Sequence, residues 1–158
     1  MSHARKNYAD FKALAPDIYD RVLALSQLAA KAGLDKELLE LVKIRASQIN
    51  GCAFCVQFHI LDAERLGMSI DKLNLVAVWR EAPQFSARER AALAWTEALT
   101  LLPQGVSDDV YAEANAEFSE KELAYLSSAV AVINVWNRFG VAYRWTSPVG
   151  QVARAAAR

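Results

Sequence analysis

The chain has 158 residues, 54% hydrophobic and 23% charged, with 18 basic and 18 acidic side chains and a formal net charge of zero. That length fits one domain with a core of its own, and the apolar share excludes a disordered chain. The balanced charge leaves no basic face for nucleic acid; Arg5-Lys6 near the start and Arg154 with Arg158 at the end read as solvated tails.

Strand signals are nearly absent, and apolar residues recur at three- and four-residue intervals. Pro16 marks the first turn of a helix that carries Tyr19, Val22, Leu23, Leu25 and Leu28 and stops at Gly33. Asp35 caps a second, with Leu38, Leu39, Leu41, Val42 and Ile44, that ends near Asn50-Gly51. A third runs from about Cys52 to Gly67, and a short fourth starts at Ser69 and stops before Pro83. The capping box Ser86-x-x-Glu89 opens a fifth, closed by Pro103 and Gly105; Ser107 starts a shorter sixth. Ser119-x-x-Glu122 opens the longest, from about Glu120 to Trp145 before Pro148, with Gly140 as a point where it bends or ends. The expectation is an all-α, single-domain bundle of about seven helices over residues 1–158, with 1–6 and 150–158 as mobile tails.

The N-terminus has no apolar stretch of the kind a signal peptide needs. The longest apolar run, Leu123 to Val135, is too short to span a bilayer and carries Tyr125, Ser127, Ser128 and Asn134. A cytoplasmic protein with no membrane and no nucleic-acid partner is therefore expected. In that compartment structural disulfides are rare, so a C-x-x-C pair argues for redox chemistry or metal binding.

The chemistry concentrates between Glu40 and His59. Cys52 and Cys55 are three apart and share one helix face, and Cys52 at the helix start sits where unpaired N–H groups favour a thiolate. His59, four residues after Cys55, lies on the same face and can exchange that thiol's proton. If Asn50-Gly51 turns a helical hairpin, Glu40 lies about 15 Å before the turn and His59 about 12 Å after it, so the two meet side by side. The carboxylate would then orient the imidazole and raise its basicity. Other readings stay open on these residues alone. Glu40 can be a solvated helix residue paired with Lys43 or Lys36, His59 a core histidine, and Cys52, Cys55, His59 and Glu40 a zinc site.

Glu40, then eleven residues, then Cys52-x-x-Cys55-x-x-x-His59 resembles the active-site pattern of the alkylhydroperoxidase AhpD, within the carboxymuconolactone decarboxylase-like superfamily. Arg45-Ala46-Ser47-Gln48-Ile49-Asn50-Gly51 also reads like that family, and a looser likeness reaches Asn134, Trp136, Asn137, Arg138 and Phe139. The sequence departs from some members at Phe54, where they carry histidine. The resemblance implies an all-helical protein that forms trimers or hexamers and reduces hydroperoxides through the cysteine pair, recharged by an external dithiol or thiol protein. Cys52, Cys55, His59 and Glu40 are then the catalytic set, with no cofactor and no metal. Cys55 is expected as the base-coupled thiol and Cys52 as the exposed partner that meets the reductant. Two alternatives are a non-catalytic redox-sensing protein and a carboxymuconolactone decarboxylase-like enzyme. Trp136, Trp145, Tyr143 and Phe139 are read as core, subunit contact or site lining.

Overall fold

The computed structural model describes residues 4–146, and these form nine α-helices and two single 3-10 turns with no strand among them. The all-α expectation holds, with two more helices than the spacing suggested. An unexpected α1, Tyr8–Leu14, is opened by a reciprocal Asn7–Asp10 capping box. The helix expected from Pro16 to Gly33 divides into α2, Pro16–Ser26, and α3, Leu28–Lys31. The break has a local cause. Ser26 Oγ donates back to the Val22 carbonyl, and the Gln27 amide bonds Ala24 rather than the carbonyl four back.

The remaining elements start where their caps predict. Asp35 caps α4, Lys36–Ile49; Ser69 caps α6, Ile70–Asn74; Ser107 caps α8, Asp108–Glu117. The two Ser/Glu boxes open α7, Ala87–Thr100, and α9, Glu120–Tyr143. Between α4 and α7 lie α5, Ala53–Arg65, then α6 and the 3-10 turn Val76–Val78; a second such turn, Leu102–Gln104, follows α7. Gly140 does not end α9. The helix stops four residues later at Arg144, whose φ of 52° is left-handed, and this turn brings Trp145 back so that its amide bonds Gly140. Pro148, Arg154 and Arg158 lie outside the described residues. Arg5 is exposed, as expected for a tail, yet its guanidinium donates to the Ala142 carbonyl at 3.0 Å and ties the N-terminal segment to α9.

Helix α4 is the axis of the bundle. Its Leu38, Leu39 and Val42 pack with Trp95 of α7 and Leu126 and Val130 of α9 in one cluster. Its Leu41 and Ile44 pack on the other side with Ala63, Leu73, Val76, Trp79 and Leu93. A helix buried on two sides presents its functional residues from a fixed platform. Among the described residues no helix is long and apolar enough to cross a membrane.

Candidate active site

The hairpin forms as its turn signal implied. Gly51 adopts φ 68°, the left-handed conformation a glycine enters without a Cβ penalty, and the Cys52 amide bonds the Ser47 carbonyl at 3.0 Å. This reverses the chain so that α5 returns beside α4. Asn50 locks the turn onto α9: its Nδ2 donates to Asn134 Oδ1 and Asn137 Oδ1, each at 2.9 Å. Asn137 donates on to Ser47 Oγ at 2.9 Å, and Asn134 to Thr100 Oγ1 at 3.2 Å and the Val130 carbonyl. Asn134 and Asn137 are buried, and this network supplies their polar partners. Of the α9 residues with a family-like spacing, Asn134, Asn137 and Arg138 therefore hold the turn or the helix itself, Arg138 bonding Asn134. Trp136 alone among them lines the cavity beside the cysteines.

Cys52 is the N-cap of α5, and its Sγ accepts the Cys55 amide at 3.3 Å. The two sulfurs are bonded to each other in this structure. Both cysteines are buried, Cys52 at 2% exposure and Cys55 at 4%, which corrects the expectation of an exposed Cys52. The cause is α9. A Cβ placed on Gly140 would stand 2.6 Å from Cys52 Sγ and 3.2 Å from Cys55 Sγ, so the disulfide packs on helix backbone that only glycine leaves bare. The two cysteines nevertheless line different openings. Cys55 lines a cavity of about 300 Å³ with His59, Lys43 and Asp62, whereas Cys52 lines a shallow depression with Ser47, Gln48, Gly51 and Ala53.

Glu40 and His59 meet across the hairpin, Oε2 to Nδ1 at 2.7 Å. The other carboxylate oxygen takes Lys43 Nζ at 2.6 Å, so the ion pair first set against a relay coexists with it. Burial pushes the Glu40 carboxyl upward, but the His59 and Lys43 bonds and charges outweigh it and hold the group below the usual glutamate value. An ionised carboxylate only accepts, so Nδ1 carries its hydrogen toward Glu40 and Nε2 is left to exchange protons. Ligand atoms of Glu40, His59 and Asp62 lie within 4.8 Å of one another, a spacing that can hold a metal ion. The Lys43 ammonium on Glu40 opposes a cation there. The zinc set with both sulfurs has no thiolates to offer while the disulfide is closed.

Residues 16–98 match the sequence profile of the Carboxymuconolactone decarboxylase family. The chain belongs to this family. YdfG of Bacillus subtilis, an uncharacterized protein, is 32% identical over 130 residues, which cover 82% of this chain and 88% of that one. A solved structure from Agrobacterium tumefaciens, of unknown function and connected by name with the antioxidant defence protein AhpD, superposes with a TM-score of 0.85. It is 36% identical and covers 90% of this chain and 99% of its own. The debrominase Bmp8 superposes at 0.80 with 20% identity, over 89% of this chain and 76% of that chain, a likeness of fold. The C-x-x-C pair and these neighbours make the chain an AhpD-like member of the carboxymuconolactone decarboxylase family.

Several residues that line the cavity lie outside the 16–98 match, Tyr8 and Trp145 among them. Tyr8 of α1 stacks on Phe54 with ring centroids 5.2 Å apart, and its hydroxyl shares a 2.6 Å hydrogen bond with Tyr19. Trp145 stands edge-on to both Tyr8 and Phe54. Both line the cavity at Cys55. Phe54, noted only as a missing histidine, is the third ring of this wall.

Proposed function

We propose that the protein is a thiol-dependent peroxidase that reduces organic hydroperoxides through a Cys52/Cys55 dithiol–disulfide cycle. The observation that supports it most is that Cys55 and His59 open on one cavity while Glu40 holds His59 from behind at 2.7 Å. In the reduced enzyme the Cys55 thiolate attacks the terminal peroxide oxygen and the O–O bond breaks. The leaving alkoxide takes the proton that His59 had received from the thiol, giving the alcohol and a sulfenic acid on Cys55. Cys52 then attacks that sulfur; hydroxide leaves, takes the second thiol proton and becomes water, and the disulfide closes. Hydroperoxide and two thiols thus become alcohol, water and disulfide.

An external dithiol or thiol protein reopens the pair by attacking Cys52, which lines the depression at the hairpin tip. We also propose that the chain self-associates in the cell cytoplasm, as trimers or hexamers. Leu14, Ile18, Leu25 and Leu28 of the N-terminal helices are exposed, as aliphatics at a subunit contact would be in an isolated chain.

Peroxide consumption by the purified protein with a dithiol donor tests the reading. Wild type should turn over, and Cys52→Ser and Cys55→Ser should not. Variants that consume peroxide as fast as wild type would end it. An inactive wild type whose oligomer changes with redox state would favour a sensor instead. Light scattering gives the subunit number directly.

A further inference from the structure

The cavity at Cys55 has a particular chemistry. Five of its lining residues are aromatic, and they come from separate parts of the chain: Tyr8, Phe54, Phe58, Trp136 and Trp145. Its volume of about 300 Å³ is at the small end of the range for ligand pockets. Rings packed edge-on or in offset stacks, as Tyr8, Phe54 and Trp145 are, present faces and edges that another ring can match.

We propose that Tyr8 and Trp145 make the cavity selective for hydroperoxides that carry an aromatic ring, both serving as ring walls against which the ligand's ring packs. The proposal rests on the peroxidase reading for its reaction and on the cavity alone for its binding. Both residues lie outside the 16–98 family match. The Tyr8 hydroxyl is already engaged by Tyr19, which fixes the ring and leaves its face as the working surface. Hydrogen peroxide has no ring to place against these walls.

The test compares kcat/KM for cumene hydroperoxide and for hydrogen peroxide in wild type, Tyr8→Ala, Tyr8→Phe and Trp145→Ala. The aromatic-to-hydrogen-peroxide ratio should fall roughly tenfold in Tyr8→Ala and in Trp145→Ala, where a ring contact is lost. Tyr8→Phe, which keeps the ring, should hold the wild-type ratio. Ratios equal in all four proteins would overturn the proposal and leave the peroxidase reading intact.

Binding of 2-phenyl-2-propanol to the oxidised protein, followed by tryptophan fluorescence, separates the two readings. Weaker binding by Tyr8→Ala and Trp145→Ala supports the site even if no peroxide is consumed, an outcome that would defeat only the peroxidase reading. Equal binding by all variants, or none by wild type, would overturn the site.

Discussion

Gly140 of α9 lies against Cys52 so closely that a single added methyl would stand 2.6 Å from the sulfur. Within a helix, alanine ordinarily stabilises over glycine by about 0.5–1 kcal/mol. Here overpacking of about 1–3 kcal/mol opposes that gain. The penalty is largest while the sulfurs are bonded and cannot rotate away. Gly140→Ala should therefore lower the melting temperature of the oxidised protein by several degrees, and of the reduced protein by less. Melts with and without a reductant measure this; a stabilised oxidised form would refute the contact.

The Glu40–His59 bond carries the acid–base role. His59→Ala should lower peroxide turnover by about 10²–10⁴-fold, the usual weight of a positioned acid–base group. Glu40→Gln keeps the shape but replaces the ionised acceptor, and should cost about ten- to a hundredfold with the pH–rate profile displaced. Steady-state kinetics across pH decide it, and a Glu40→Gln profile superimposable on wild type would remove Glu40 from the relay.

Glu40 also links stability to pH. Its carboxyl is held below the ordinary value of 4.5 in the folded protein, because His59 and Lys43 outweigh the opposing effect of burial. The stabilisation is thus complete above that ordinary value and is lost as pH falls through the lower folded value. Wild type should lose its stability advantage over Glu40→Gln as the pH falls below 4.5 in denaturant melts. Glu122, drawn down to about 2 by the Ser119 backbone amide and Arg88, is common to both proteins and cancels. A difference that stays constant across the range would contradict the assignment.

Asn137 is 1% exposed and joins Asn50 to Ser47 across the turn before Cys52. Asn137→Ala strips partners from buried polar groups and should destabilise the protein by about 1–3 kcal/mol. Because Asn50 also bonds Asn134, the hairpin should stay closed and the cysteine pair should still form. Equilibrium unfolding with thiol counting would show both; an undiminished stability would mean the network is not a clamp.

The hairpin and its site were legible because their signals are local. Asn50-Gly51 marks the turn, C-x-x-C sets the cysteine face, and similar arm lengths bring Glu40 to His59. Helix starts were legible for the same reason, since each cap bonds within four residues of itself. What the sequence did not disclose depends on distant chain segments. Gly140 read as a helix breaker because nothing near it announces a disulfide. Tyr8 sits in a helix too short to show a period, and Trp145 turns back at Arg144, a left-handed residue that is not glycine. The burial of Cys52 likewise follows from α9, which no pattern around residue 52 reveals.

In the proposed cycle the reduced cysteine pair itself gives its two electrons to a hydroperoxide. Mixing the reduced protein with one equivalent of cumene hydroperoxide, with no other thiol present, and following free thiols and cumyl alcohol together tests it most directly. The account predicts one disulfide between Cys52 and Cys55 and one alcohol for each peroxide consumed, with Cys52→Ser halting at a Cys55 sulfenic acid. Thiols that persist while peroxide remains unreacted, or a Cys55→Ser protein that still forms alcohol, would contradict it.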